Sequence, residues 1–319
     1  MLQISVIVPV LNEQESLPEL HNWISRVMED SGFSYEIIFI NDGSTDSSWE
    51  VIKKLCEINT MVKAVSFTRN YGKSAALDVG FSKAQGEVVI TMDADLQDSP
   101  DEIPALYEMI IKEGYDIVSG WKRVRKDPIS KTLPSRLFNY VTRVISGIQL
   151  HDFNCGLKAY SLKVVKSIHI YGEMHRYIPL IAKWNGFVKI GEKEVAHRPR
   201  KYGVTKFGLE RFLNGFLDLI SVSFVNRYKK KPMHFFGTLG TLSFLSGLII
   251  TIWVIFEKIY GLYKGIKVRE ITNQPLFFLA LVALLIGVQL FLTGFLAEMM
   301  TSNNSRRADY NIEKELNLN

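Results

Sequence analysis

Two aspartates that follow a short apolar segment are the residues of this sequence best suited to chemistry. Residues 88–98 read V-V-I-T-M-D-A-D-L-Q-D, so apolar residues give way abruptly to Asp93, Asp95 and Gln97. In an extended backbone, Asp93 and Asp95 point to the same side. Hard oxygen donors of this kind suit Mg²⁺ or Mn²⁺ that is also held by phosphate groups. A solvated acidic turn is the alternative, because an Asp-x-Asp triplet also arises by chance.

The elements around these carboxylates alternate between strands and helices. Apolar runs predict strands at residues 4–8, 36–40, 62–67, 88–92, 116–120 and 187–195. A first helix is predicted to begin near residue 16, and a second, capped by Asp46 or Ser47, to end near residue 58. Further helical patterns occupy residues 74–84, 100–113 and 134–150. This alternation with tight polar turns predicts an α/β fold with a Rossmann-like, mainly parallel sheet.

Polar residues follow four of the predicted strands. They are Asn12 and Glu13, then Asn41 and Asp42, then Arg69, then Asp93 and Asp95. Because the carboxyl ends of parallel strands meet at one edge, this convergence predicts a nucleotide site there. The chain lacks G-x-G-x-x-G after the first strand and has no G-x-x-x-x-G-K-[ST], which argues against a dinucleotide oxidoreductase or a P-loop NTPase.

Two basic segments are candidates for binding anions. The first contains Lys122, Arg123, Arg125 and Lys126, and the second contains His197, Arg198, Arg200, Lys201 and Lys206. Arginine suits bidentate phosphate binding, so the first segment is a candidate flap over a diphosphate and the second a candidate phosphate cradle. Solvated loops are the alternative for both. Between them, residues 151–160 (H-D-F-N-C-G-L-K-A-Y) suggest a loop on the acceptor side.

Composition points to anionic partners and to a reducing compartment. The 319 residues carry a net charge of +5, which fits nucleotide diphosphates, lipid phosphates or an anionic membrane surface. The two cysteines have no C-x-x-C spacing, so neither a disulfide framework nor a zinc site is supported. Residues 1–11 lack a basic segment and a cleavage site, so they are interpreted as the first strand of a cytosolic domain.

The carboxy-terminal third has the pattern of a membrane anchor. Residues 206–226 carry an apolar stripe and are followed by basic residues, as in an interfacial helix on anionic headgroups. Residues 235–256 and 274–297 are uncharged and, at ~1.5 Å per residue, each is long enough to span a bilayer. Basic residues flank both runs, which predicts an integral membrane protein of the inner or plasma membrane with both termini cytosolic. The predicted domains are 1–205 (catalytic), 206–231 (interfacial), 232–300 (membrane hairpin) and 301–319 (cytosolic tail).

Six motifs in order resemble those of one family. They are P-V-L-N-E at 9–13, N-D-G-S-T-D at 41–46, R-N-Y-G-K at 69–73, D-A-D-L-Q-D at 93–98, N-C-G at 154–156 and H-R-P-R-x-x-G-x-x-K at 197–206. The chain resembles family 2 glycosyltransferases of GT-A fold, in the polyprenyl-phosphate branch that includes dolichol-phosphate-mannose synthase-like and bactoprenol glucosyltransferase-like enzymes. Many relatives have tyrosine where Leu11 stands. The Q-x-x-R-W segment of processive members is absent, which points to transfer of a single sugar.

The resemblance implies an inverting, metal-dependent transfer from a UDP- or GDP-linked sugar to a polyprenyl (undecaprenyl or dolichyl) phosphate at the cytosolic membrane face. The implied ligands of Mg²⁺ or Mn²⁺ are Asp93, Asp95 and Gln97. The implied catalytic residues are Asp152, Arg125 and Arg200. The implied substrate-binding residues are Pro9, Asn12, Glu13, Asp42, Asp93, Arg136, Asn154, Arg198 and Lys206. A homo-oligomer is possible on family grounds only.

Three other functions are kept as alternatives. A membrane-anchored glycosyltransferase that acts on a saccharide or protein hydroxyl would need a general base, which would make Asp152 essential. A non-enzymatic scaffold for nucleotide-sugars or anionic lipids has no use for a metal–diphosphate site. A nucleic-acid binder is disfavoured, because the positive charge lies in loops and beside the apolar runs rather than along a basic groove. The sugar and the nucleotide are left open.

Overall fold

The structure is a computed structural model that describes residues 2–123, 139–199, 201–202, 232–266, 269–302 and 312–317. The chain divides into two compact units. One comprises Met1–Ile220 together with Ala308–Asn319, and the other is Ser221–Arg307. The predicted interfacial segment at 206–231 lies outside the described residues.

The first unit is built on one mixed sheet of eight strands. In chain order the strands are β1 (Ile4–Val10), β2 (Tyr35–Asn41), β3 (Val62–Phe67), β4 (Val88–Thr91), β5 (Ile117–Trp121), β6 (Lys158–Ser161), β7 (Ile190–Glu194) and β8 (Ile312–Leu316). Their spatial order is β7-β5-β6-β4-β1-β2-β3-β8. The α/β expectation with a mainly parallel centre is therefore confirmed.

Strand direction changes at the two sides of the sheet. Strands β1, β2, β3 and β4 run parallel to one another, and their apolar side chains are almost completely buried. Strand β6 lies antiparallel to both β4 and β5, while β5 and β7 pair in parallel. At the other edge, β8 pairs antiparallel with β3. Neither β6 nor β8 was predicted from the sequence.

Helices connect the strands and close the core. In chain order they are α1 (Leu17–Asp30), α2 (Ser48–Ile58), α3 (Lys73–Lys83), α4 (Ile103–Ile111), α5 (Leu162–Ser167) and α6 (Ile178–Trp184), with short 3₁₀ turns at Pro100–Glu102 and Met174–Tyr177. Helix α3 packs on β1 and β2, where a Cβ on Gly80 would lie 2.5 Å from the Ile7 side chain. Glycine at this position therefore lets the helix that follows the R-N-Y-G-K segment lie close to the sheet.

The second unit is a hairpin of two long apolar helices, α7 (Pro232–Tyr263) and α8 (Pro275–Ser302). Both are long and apolar enough to cross a membrane, with a mean hydropathy of 2.1 for Pro232–Tyr263 and 2.6 for Pro275–Met300. Their backbones approach closely at glycines, since a Cβ on Gly240 would lie 2.7 Å from the Gly287 carbonyl oxygen. Large apolar side chains such as Ile249 and Trp253 are about two-thirds exposed, as expected for a surface that faces lipid.

Candidate active site

The loop after β1 is fastened to the loop after β2 by hydrogen bonds. Asn12 has a φ of +56°, its backbone N–H donates to Ser44 Oγ at 3.0 Å, and its Oδ1 accepts from the Thr45 N–H at 2.8 Å. The Glu13 N–H donates to Ser48 Oγ at 2.9 Å. Pro9 lies within β1, opposite Ile40 of β2. The predicted nucleotide-binding residues Asn12 and Glu13 therefore lie on a loop that is held against the residues after β2, and Pro9 lies in the strand that leads into this loop.

Asp42 fixes a third loop against these two. Its carboxylate is buried and accepts the backbone N–H groups of Tyr71 and Gly72 at 2.7 and 3.0 Å. Burial raises the pKa of Asp42, and the two backbone hydrogen bonds oppose that rise. Gly43 beside it has a φ of +67°, and a Cβ there would lie 2.3 Å from the Arg69 carbonyl carbon. The side chain of Asp42 thus binds the 69–72 loop in this structure, and its predicted contact with a nucleotide stays a prediction.

Asp93 follows β4 and forms an ion pair with Lys73, the first residue of α3. Burial would raise the pKa of Asp93, but the neighbouring ammonium of Lys73 outweighs it and lowers this pKa to about 2. The carboxylate also lies against the backbone of the N-C-G segment, where a Cβ on Gly156 would be 2.6 Å from Asp93 Oδ2. Asp93 is therefore an anionic group, about one-third exposed, at the carboxyl end of the central sheet.

The turn that carries Asp95 and Gln97 has an unusual backbone. Leu96 has a φ of +62°, and the Gln97 N–H donates to Asp95 Oδ1 at 3.1 Å. The second basic segment runs alongside this turn, because the Arg198 N–H donates to the Gln97 carbonyl at 3.0 Å. The guanidinium of Arg198 lies 4.1 Å above the ring of Trp23 on α1. Residues 93–98, which we call the carboxylate turn, and the start of the second basic segment are thus neighbours.

Lys122, which the sequence analysis assigned to a basic flap, is a buried partner of the carboxylate turn instead. Its ammonium lies 2.7 Å from Asp98 Oδ1, and neither side chain is more than 14% exposed. Burial alone would lower the pKa of Lys122, but Asp98 raises it above the ordinary value. Lys122 therefore stabilises the turn. Arg125, the flap residue predicted to be catalytic, lies outside the described residues.

Asp152 and Asn154 lie on the loop that precedes β6. Asp152 is buried, its Oδ1 accepts the Asn154 N–H at 3.0 Å, and its carbonyl accepts Ser119 Oγ at 3.2 Å. Asn154 is exposed and lies at the rim of a cavity. Asp152 is therefore placed to orient this loop, and a role for it as a base stays a prediction.

The cavity beside Asp93 is lined by cations that the sequence analysis did not select. Lys73, Lys158, His175 and Arg176 contribute to its wall. Lys158 is 4% exposed and its ammonium donates to the Cys155 carbonyl. Burial lowers the pKa of Lys158. Lys73 belongs to the R-N-Y-G-K motif, but no motif contains Lys158 or Arg176, and the distance of these residues from Asp93 in the sequence concealed the grouping.

The oxygen donors of the carboxylate turn fit a divalent cation that is shared with substrate. Within the described residues, no group of three or more His, Cys, Asp or Glu side chains is placed to hold a metal. Mg²⁺ that is shared with substrate phosphates usually needs only one or two protein carboxylates. The predicted role of Asp93 and Asp95 as metal ligands therefore agrees with their number and stays a prediction. Among the other predicted site residues, Arg136, Arg200 and Lys206 lie outside the described residues.

Comparison with known proteins gives the class to which this arrangement belongs. The family described as glycosyl transferase family 2 matches residues 5–168. The chain belongs to glycosyl transferase family 2, and it is a glycosyltransferase, as the resemblance predicted.

Two relatives match nearly the whole chain. Dodecaprenyl-phosphate galacturonate synthase from Rhizobium johnstonii is 35% identical over 302 residues, which cover 94% of this chain and 88% of the relative. Undecaprenyl-phosphate 4-deoxy-4-formamido-L-arabinose transferase from Pseudomonas aeruginosa is 33% identical over 299 residues, which cover 93% and 84%. Both matches are long enough to include the carboxy-terminal apolar helices as well as the sheet.

Solved structures show the same fold. Glucosyl-3-phosphoglycerate synthase from Mycobacterium tuberculosis, in complex with Mn²⁺ and UDP-glucose, is similar with a TM-score of 0.54. It is 20% identical in sequence, and the match covers 70% of this chain and 78% of that chain. At this identity the likeness shows the fold, and it agrees with the GT-A expectation.

Proposed function

We propose that this glycosyltransferase moves one sugar from a nucleotide-sugar to a polyprenyl phosphate at the cytosolic face of a membrane. The observation that carries the proposal is the near full-length match to two enzymes named for polyprenyl-phosphate products. The two apolar helices support it, because a prenyl chain is costly to withdraw from the bilayer at ~0.8 kcal/mol per CH₂. The spans would keep the enzyme at the surface where its acceptor lies.

The donor half of the site is proposed to lie over the carboxyl ends of β1, β2 and β4. The loops that contain Asn12, Glu13 and Asp42 would hold the nucleoside. Hydrogen bonds between these loops keep them in one arrangement. Asp93, Asp95 and Gln97 would hold Mg²⁺ or Mn²⁺. When bound, this ion would offset the negative charge that builds up on the departing nucleoside diphosphate.

The acceptor reacts through a phosphate oxygen. That oxygen forms a bond to the anomeric carbon as the bond to the nucleoside diphosphate breaks, and attack from the opposite face inverts the centre. A phosphate monoester is largely dianionic near pH 7, so the step needs little help from a base. It needs cations that let two anions approach, and Arg125, Arg136, Arg198, Arg200 and Lys206 are the proposed set. Asp152 would then orient the acceptor loop.

The sugar and the nucleotide are not specified by this proposal. One relative is named for galacturonate, which carries a carboxylate, and the other for a formamido-arabinose, which is uncharged. The runner-up function is transfer to a saccharide or protein hydroxyl, in which Asp152 would have to act as a base. Its burial and its hydrogen bond to the Asn154 N–H favour the orienting role instead.

The proposal is tested with the purified full-length protein in detergent, undecaprenyl phosphate and a panel of UDP- and GDP-sugars. We expect a product lipid that is one sugar heavier by mass spectrometry, and we expect EDTA to abolish it and Mg²⁺ or Mn²⁺ to restore it. A product found only on a water-soluble hydroxyl acceptor, with Asp152→Asn inactive, would favour the runner-up.

A further inference from the structure

The side chain of Arg198 is held by an aromatic ring instead of a carboxylate. Its guanidinium lies 4.1 Å above the ring of Trp23, and among the described residues it forms no ion pair. Contact with a ring uses the face of the guanidinium, whereas the N–H donors point outward from its edge. Arg198, which is exposed, therefore keeps both its charge and its donors for an anionic ligand.

The two lysines beside the carboxylate turn differ from Arg198 in this respect. Lys73 pairs with Asp93, and Lys122 pairs with Asp98. A phosphate that bound to either lysine would have to replace that carboxylate. Arg198 could bind a phosphate with two parallel hydrogen bonds and lose no partner within the described part of the chain.

Trp23 is fixed in one orientation. It lies on α1, is 8% exposed and belongs to the hydrophobic core of the sheet. Its Nε1–H donates to Asp101 Oδ1 at 2.9 Å. Asp101 lies on the 3₁₀ turn Pro100–Glu102, and its other carboxylate oxygen accepts Ser99 Oγ at 2.9 Å. The ring below the guanidinium is therefore held by packing and by a hydrogen bond to the chain that follows the carboxylate turn.

The backbone around Arg198 is attached to the same two elements. The Arg198 N–H donates to the Gln97 carbonyl in the carboxylate turn at 3.0 Å. Further along the segment, Lys201 Nζ lies 2.7 Å from Glu19, which is one helical turn before Trp23 on α1. The start of the second basic segment is thus held between α1 and the carboxylate turn, and the stacked ring adds a defined position for the guanidinium.

We propose that Trp23 is a positioning residue, which holds Arg198 in place for the acceptor phosphate without cancelling its charge. The inference rests on the proposed function, in which Arg198 is one of the cations that let two anionic substrates approach each other. It adds to that site a residue of α1 that none of the six sequence motifs contains. In a purely structural role, Trp23 would only fill the core beside the sheet.

A double-mutant cycle on Trp23 and Arg198 tests the inference. It uses the purified full-length protein in detergent, undecaprenyl phosphate and the nucleotide-sugar that the donor panel identifies. We expect Trp23→Leu to raise the KM for undecaprenyl phosphate by about two- to fivefold, the size of an exposed cation–π contact, with kcat unchanged. Arg198→Gln should raise this KM by at least about tenfold. In the Arg198→Gln background, Trp23→Leu should have no further effect on KM.

Trp49→Leu is the matched control. Trp49 on α2 is 9% exposed, close to the value for Trp23, but among the described residues it stacks on no cation. Its replacement should lower the thermal unfolding temperature and leave the KM for undecaprenyl phosphate unchanged. Trp23→Phe keeps a ring but loses the donor to Asp101, so its KM should lie between those of the wild type and Trp23→Leu.

A second variant serves if Trp23→Leu does not fold. Asp101→Ala removes the acceptor of the indole N–H at a side chain that is about half exposed. It then takes the place of Trp23→Leu in the cycle, and we expect it to raise KM in the same direction, again without effect in the Arg198→Gln background. An unchanged KM in Asp101→Ala would contradict the inference.

Each contrary result has a separate meaning. Additive effects in the cycle would give Trp23 a structural role only, and they would overturn the inference while the proposed function stands. If Trp23→Leu weakened the binding of free UDP or GDP with Mg²⁺ but kept the KM for undecaprenyl phosphate, Arg198 would serve the donor and the inference would be wrong. Failure of the wild type to transfer any sugar to undecaprenyl phosphate would overturn the proposed function, and the inference with it.

Discussion

The loops after β1, β2 and β3 are joined by hydrogen bonds between side chains and backbone N–H groups, whereas the turn after β4 is joined to its neighbours mainly by ion pairs. We call the first group (residues 11–13, 42–45 and 69–72) the amide-linked loops. We call residues 93–98, together with the lysines that pair with Asp93 and Asp98 (Lys73 and Lys122), the ion-paired turn. In the amide-linked loops, Asn12 and Asp42 accept backbone N–H groups. In the ion-paired turn, Lys73 and Lys122 neutralise Asp93 and Asp98.

This difference suggests a division of work. A hydrogen bond to a backbone N–H fixes a loop without a partner cation, so the amide-linked loops form a preformed surface that suits the proposed nucleoside site. A side-chain cation can exchange a carboxylate partner for a phosphate at little cost, since the new partner is also an anion. The ion-paired turn is therefore suited to the part of the substrate whose charge changes during the reaction.

The largest effect is expected at the ion-paired turn. Asp95→Asn keeps the size of the side chain but removes its charge, so we expect kcat to fall by at least about 10²-fold through loss of electrostatic stabilisation. Initial rates with prenyl phosphate and thermal unfolding measure this. Glu50→Gln on the exposed face of α2 is the control and should stay within about twofold of wild type. A near-normal rate with unchanged sensitivity to EDTA would remove Asp95 from the metal site.

Two glycines, Gly156 beside the ion-paired turn and Gly43 in the amide-linked loops, should have different effects when they are replaced by alanine. Gly156→Ala places a Cβ against the movable carboxylate of Asp93, so we expect a folded protein with roughly tenfold lower turnover. Gly43→Ala places a Cβ against backbone atoms at a φ of +67°, so we expect the protein to lose stability. The left-handed conformation alone should lower the free energy of unfolding by about 1–2 kcal/mol. Denaturant unfolding and turnover, measured on both variants, test this. A loss of stability in Gly156→Ala together with normal stability in Gly43→Ala would show that the two regions do not differ in this way.

Asp42 and Lys73 allow a comparison of stability. Asp42→Asn replaces one carboxylate oxygen with an amide nitrogen, so one of the two backbone N–H groups that it binds loses its acceptor. We expect the free energy of unfolding to fall by about 1–3 kcal/mol. Lys73→Gln breaks an ion pair that is about one-third exposed, so its cost should be below about 1 kcal/mol. Thermal unfolding of the two variants tests the order. A larger loss for Lys73→Gln would mean that the ion pair contributes more to the fold than to the site.

The smallest effect is expected at the two cysteines, which report on local opening. Burial raises the pKa of Cys56 on α2 to about 11, and that of Cys155 beside the ion-paired turn to about 12. Because the thiolate is the reactive form, neither should be alkylated readily at pH 8 in the native protein. Mass spectrometry over time should show Cys56 reacting before Cys155, which is the more buried of the two. Faster reaction of Cys155 would indicate that the ion-paired turn opens more often.

Sequence patterns could predict the parallel centre of the sheet because its strands are short apolar runs followed by polar turns. Strand β3 lies at the predicted residues, and β1, β2 and β4 differ only at their ends. Strand β6 was missed because K-A-Y-S is short and half polar, and β8 because I-E-K-E-L is mostly charged. Strand β6 pairs antiparallel with β4 and β5, and β8 pairs antiparallel with β3, which is far away in the chain. Local periodicity gives no signal for such pairings.

The candidate site could be predicted where one short motif contains several of its residues, as D-A-D-L-Q-D does. It was not predictable where charges meet across the fold. Nothing in the spacing of Lys122 and Asp98 indicates that they pair, and the basic run around Lys122 was interpreted as a flap over a diphosphate, with a solvated loop as the alternative. Lys158 and Arg176 are likewise single cations in ordinary segments. Only the antiparallel position of β6 and the turn fastened by Ser74 bring them to Asp93.

The pairing of β8 with β3 makes the order of biosynthesis matter. Strand β3 is synthesised early, but its outer neighbour is made only after both apolar helices. During translation the sheet therefore keeps an open edge, which invites association with other chains. The Asn317 side-chain amide, which donates to the Val62 carbonyl at 3.0 Å, adds to the closure of that edge. The sheet can therefore close this edge only after both apolar helices have been synthesised.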